Sequence, residues 1–250
     1  MKFIVYSLLV LLTNTIPSIA QIVKIDTIQS TYVYKKQSSG TIGQTEYIYS
    51  LGLKLLSIEQ LPKILNQTNS TNYISSSLYG LMFKFNDNQI SYRLSANYLS
   101  KDDFSFMNEC DDCESIKGEL SDLSLKLGFE KNINYSTIQP YFGFDLGFRK
   151  NKFKGKASNA GSLNYTTNYD VTAEKIGGLL SPVLGIKFNL IPHFTLGVES
   201  GVDAFISYER QEKTYLDAQR TRTFKNKNNF ELLIRPLSLL SIQYNFEHAD

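Results

Sequence analysis

The stretch PYFGFDLGFR, Pro140 to Arg149, alternates strictly: Phe142, Phe144, Leu146 and Phe148 fall on one face of an extended chain, and Gly143, Asp145, Gly147 and Arg149 on the other. A period of two predicts a β-strand. A solvated strand face tolerates charge, but glycine there costs chain entropy and packs nothing. Glycines beside opposite charges suit a crowded interior, and the four large apolar side chains then point outward.

This run is one of eight, at roughly 46–55, 73–86, 89–100, 118–130, 138–149, 178–190, 194–208 and 229–246. Each exceeds the ~5 to 6 residues usual for soluble strands. The connections alternate in length. Asn86-Asp87-Asn88, 131–136 and Ile191-Pro192-His193 are short, whereas 56–72, 101–117, 150–177 and 209–228 are long and polar. Short connections at one end and long ones at the other predict an all-β, eight-stranded antiparallel up-and-down barrel. Its short turns would be periplasmic and its long loops extracellular.

Alternation alone leaves a soluble barrel with an apolar interior as a rival. Against it, one face carries large residues almost without interruption, as in Leu123, Leu125, Leu127, Phe129 and in Leu180, Leu184, Ile186, Phe188, Leu190. The opposite faces carry Gly52, Gly80, Gly128, Gly143, Gly147, Gly185, Gly197 and Gly201 among serines and charges. A narrow barrel accommodates the small set inside, so the large residues meet lipid. Aromatics form two belts, Tyr47, Phe85, Phe129, Phe142, Phe188, Phe194 and Tyr244 at the short-turn end and Tyr73, Tyr98, Phe148, Tyr208 and Phe230 at the other. Membrane interfaces favour such belts.

The N-terminus supports export. Lys2, the apolar run 3–12 and the small-residue ending Ser18-Ile19-Ala20 read as a signal peptide over 1–20. A polar segment, 21–45, follows, and the barrel occupies 46–250. Without Lys2 the chain has 25 basic against 24 acidic residues. That balance gives no reason to expect a nucleic-acid partner.

With its signal peptide, eight strands, long outer loops and strands such as LSLKLGFEK and QPYFGFDLGFRK, the chain resembles the small outer-membrane β-barrels of the outer membrane protein A type, often grouped as porin-like. The resemblance covers about 46–246 and is compositional. It implies a Gram-negative cell envelope and insertion into the cell outer membrane by the barrel-assembly machinery, guided by the alternating Leu240, Ile242, Tyr244 and Phe246. It departs from the family pattern in the tail 247–250 and in having no Trp.

The inward set predicted from alternation contains Lys54, Lys84, Arg93, Lys126, Arg149, Lys187 and Arg235 with Asp122, Glu130, Asp145, Glu199, Asp203 and Glu231. Hairpin pairing is expected to bring Asp122 to Arg149 and Lys126 to Asp145, closing the lumen with salt bridges. Cys110 and Cys113 sit in a loop of an oxidising compartment and are a disulfide candidate. The two histidines, His193 and His248, lie at the short-turn end and in the tail. A His-dependent lipid hydrolase at the outer rim is therefore not expected, nor is any metal or cofactor. Basic loop residues around Lys150–Lys156 and in 209–228 match lipid and lipopolysaccharide phosphates. The expected role is a monomeric structural or surface-interaction protein of the envelope, with a small porin or gated channel as the alternative and a lipid-modifying enzyme behind it.

Overall fold

The computed structural model describes residues 47–65, 73–87, 90–107, 114–159, 169–216 and 220–248. The signal peptide, the segment 21–45, Cys110 and Cys113 lie outside them. Eight strands follow one another: β1 (Tyr47–Gln60), β2 (Tyr73–Asp87), β3 (Ile90–Met107), β4 (Glu114–Asn132), β5 (Ile138–Asn159), β6 (Tyr169–Ile191), β7 (Phe194–Tyr215) and β8 (Arg222–His248). Each pairs antiparallel with its sequence neighbours, and β8 returns to β1, closing the ring.

The ring is inside out. Leu51, Leu81, Leu94, Leu127, Phe144, Leu146, Leu184, Ile206, Leu232 and Ile234 are exposed on its outer surface, while Lys84, Arg93, Glu130, Arg149 and Asp203 are buried within it. A belt this large and apolar is stable against hydrocarbon and not against water. Along β7 it runs outward from Leu196 to Tyr208, roughly 30 Å along the barrel axis at ~3.3 Å per residue and a tilt near 40°. The lower edge of the belt is a band of touching rings: Tyr49 on Phe83, Phe85 and Phe246, Phe85 on Tyr92, and Tyr244 on Phe194 and Phe246. Tyr47 is buried at the edge of that band, against His193 with ring centroids 4.6 Å apart, and His193 in turn stacks on Tyr244.

The strands run well past the ~9 to 11 residues needed to cross a bilayer. Segments 101–117, 150–177 and 209–228, read from sequence as polar loops, are largely strand. The reason lies in β5. Up to Phe148 its outward side chains are apolar; from there they are Lys150, Lys152, Lys154 and Lys156, while Phe153 and Ala157 are buried inside. The period of two persists, but its polarity reverses where the chain leaves the bilayer. The same reversal separates Leu123 from Ser121, Ile176 from Glu174 and Tyr208 from Arg210.

Above the reversal the barrel has an ordinary apolar core. Phe104, Phe106, Ile116, Leu120, Phe153, Tyr169 and Val171 cluster inside with Leu61, Ile64 and Leu65, the residues following β1. The expectation that large residues would all face lipid is thus corrected. Water surrounds this part of the barrel, so burial favours the opposite arrangement there.

Candidate functional site

The interior within the belt is stacked with ion pairs. Toward the short-turn end, Glu130 takes Lys84 at 2.7 Å, Lys187 at 2.5 Å and Arg93 at 3.2 Å. Arg93 continues to Asp145, donating from Nε at 2.7 Å and Nη2 at 2.6 Å, and to Glu199. Tyr141 and Ser238 donate their hydroxyls to Glu199 at 3.0 and 3.1 Å. One guanidinium therefore joins three carboxylates in a single cluster.

A second cluster centres on Asp203. It receives Lys126 at 3.0 Å, the Ser181 hydroxyl at 2.5 Å and an ion contact from Arg235 Nη2 at 2.7 Å. A third pairs Arg149 with Asp122 at 2.6 Å, with Asn151 donating to the same carboxylate at 2.7 Å. Lys126 thus meets Asp203 and not Asp145, correcting the hairpin expectation. In the observed register Lys126 faces Gly147, and Asp145 faces Gly128. Lys126 reaches across the lumen to Asp203 on β7, whereas Asp145 reaches over Gly128 on β4 to Arg93 on β3. Lys54 is buried with its ammonium 5.9 Å from the Tyr79 ring centroid and makes no ion pair among the described residues.

The glycines explain how so many long side chains fit. Gly80 pairs with Lys54, Gly128 with both Arg93 and Asp145, Gly143 with Glu130, and Gly147 with Lys126. Gly177 pairs with Arg149, Gly185 with both Tyr141 and Glu199, Gly197 with Lys187 and Gly201 with Arg235. At Gly147 a Cβ would stand 2.8 Å from Lys126 Cγ. At Gly128, Gly147, Gly185 and Gly201 the space is taken by the side chains of Asp145, Lys126, Tyr141 and Arg235.

Inward charges beyond the sequence-based set include Glu59, Lys175 and Glu209. Lys175, fully buried, contacts Glu231 at 2.9 Å and Glu209 at 3.4 Å. This triad holds the segment after β1: Lys63 N–H donates to Glu231 at 2.9 Å, Leu65 N–H donates to Glu209 at 2.8 Å, and Lys175 donates to the Lys63 carbonyl. Leu65 has φ of 59°, unfavourable for a branched side chain. The signal for Lys175 and Glu209 was present in the uninterrupted odd-numbered inward series of β6 and β7, which the polar outward residues concealed.

Closed ring, lipid-facing belt and charged interior are the arrangement by which antiparallel strands cross a bilayer without a free edge. The chain is a membrane-crossing β-barrel. No family model matches it, and no curated protein does either. Among solved structures the barrel is similar to a major outer membrane protein from Thermus thermophilus, at 12% identity over 79% of this chain and 99% of that one, with a TM-score of 0.45. It is also similar to Ail, the attachment invasion locus protein of Yersinia pestis, at 15% identity over 81% of this chain and 100% of that one, with a TM-score of 0.40.

Proposed function

We propose that the barrel is a closed, non-catalytic envelope protein, monomeric, whose contacts are made by its outer surface and extracellular end and not by transport through its lumen. The observation that carries this reading is the filled interior: three ion clusters within the belt, then the Lys175 triad, then the apolar core capped by residues 61–65. Buried charges joined this way resist hydration one at a time, because opening any pair strands its partner at a cost of about 3 to 5 kcal/mol. A non-catalytic role is further supported by His193, whose Nδ1 is hydrogen-bonded to the Asn245 carbonyl at 2.9 Å near the short-turn end. Planar-bilayer recordings on the purified protein test the reading. Negligible steady conductance is expected; large stable channels would establish the porin alternative.

A further inference from the structure

The seam between first and last strands is uneven. Pairing with β1 ends at Ile58 and Leu237, so Arg222–Arg235 of β8 has β7 as its strand partner and no β1 partner. A cavity of about 340 Å³ lies along this stretch. Its lining falls into three groups. Phe230 and Leu232 are 64% and 60% exposed on the outer surface, at the top of the belt. Lys63 and Lys227, both exposed, also line it. The third group is the Lys175, Glu209 and Glu231 triad with Asn229, whose two acids are occupied by Lys175, by Asn229 and by the Lys63 and Leu65 amides.

We propose that this cavity binds the phosphate headgroup of an outer-leaflet lipid, with Lys63 and Lys227 on the phosphate and an acyl chain along Phe230, Leu232 and Ile234. Three bases against two acids leave the cavity with net positive charge, and both acids are already engaged. At the lower end of this edge the Ile234 N–H donates to Gln60 Oε1 at 3.0 Å, so the phosphate is held by the two lysines. The site opens sideways at the level where hydrocarbon gives way to headgroups. Phe230 and Leu232 belong to the lipid-facing belt, so an acyl chain lying against them places its own headgroup at the height of the lysines, which favours an amphiphile over a soluble anion. The inference rests on the belt facing lipid and not on the closed lumen, so a conducting barrel would leave it standing.

Native mass spectrometry of the full barrel released from phosphatidylcholine nanodiscs, with and without bis-phosphorylated lipid A, tests this. One retained lipid A per barrel is expected. In Lys63→Gln/Lys227→Gln, retention should fall by about tenfold or more, in line with loss of charge-assisted contacts. Lys101→Gln/Lys117→Gln removes the same charge from exposed positions of β3 and β4 and should retain lipid as the parent does. Heat-modifiable gel migration confirms that both variants are folded. Retention unchanged in the first variant, equal loss in the second, or displacement of the lipid by millimolar inorganic phosphate would each overturn the proposal.

Discussion

Tyr141 fills the space opposite Gly185: the two are cross-strand partners, and a Cβ on Gly185 would stand 2.5 Å from Cε1 of the Tyr141 ring. The ring cannot move aside cheaply, because its hydroxyl is hydrogen-bonded to Glu199 and the Lys187 ammonium lies 5.0 Å from its centroid. Gly185→Ala should therefore lower stability by about 1 to 3 kcal/mol, the usual range for overpacking. Adding Tyr141→Ala should cost less in that background than in the parent, since the clash is gone. Unfolding in detergent micelles, followed by gel migration, would show whether the two substitutions couple; strict additivity would contradict it.

Arg93 is the most connected interior side chain, and Asp145 has hydrogen bonds to it alone among the described residues. Arg93→Ala should destabilise by about 3 to 5 kcal/mol, and Asp145→Asn in the same chain should restore part of the loss by removing the stranded charge. By contrast, Lys126→Ala leaves Asp203 with Arg235 and Ser181. Its cost should be smaller, measured in the same unfolding experiment.

The Asp122 and Arg149 pair offers a cleaner cycle. Arg149→Ala should reduce thermal stability, and Asp122→Ala should partly relieve it. Equal and additive losses would mean that water already screens the two groups.

Lys175→Met leaves Glu209 and Glu231 facing each other and removes the donor to the Lys63 carbonyl. The Lys63 and Leu65 amides should then exchange with solvent about tenfold faster, the effect of losing roughly one hydrogen bond's worth of protection. Hydrogen exchange read residue by residue checks this, with the β4 and β5 amides as the reference that should not change.

Outside the bilayer, the Lys150 hydrogen bond holds the Glu174 carboxyl below its ordinary range, against the opposing effect of desolvation. A depressed native value means the pair's contribution is present above the unfolded carboxylate's pKa and is lost as pH falls through the native one. Both groups are more than a third exposed, so the contribution should be below about 1 kcal/mol and vanish in high salt. Glu174→Gln should accordingly be near neutral in stability at pH 7 in roughly 1 M salt, as thermal unfolding would show.

The belt was legible because hydrocarbon imposes one rule on every strand: in β5, Phe142 to Phe148 can face only one way. Beyond Phe148 the rule reverses, and Lys150 to Lys156 read as a loop although Phe153 and Ala157 keep the strand's phase inside. Losing that phase is also what hid Lys175 and Glu209. The inward set of charges follows from alternation, but their partners do not. The β4–β5 register is offset by two residues from the one that would pair Lys126 with Asp145, and contacts such as Arg93 to Glu199 cross from one wall to another, which no single hairpin encodes.

The reversal of polarity along the strands also sets a thickness. Because Lys150, Glu174 and Arg210 begin one position pair beyond Phe148, Ile176 and Tyr208, the barrel carries its own depth gauge. A bilayer a few ångströms thicker than the belt would have to draw those charges toward acyl chains or thin around them, at a cost of fractions of a kcal/mol per ångström. Such a molecule partitions by hydrophobic match, and among membranes of unequal thickness it settles in the one whose hydrocarbon ends where its lysines start.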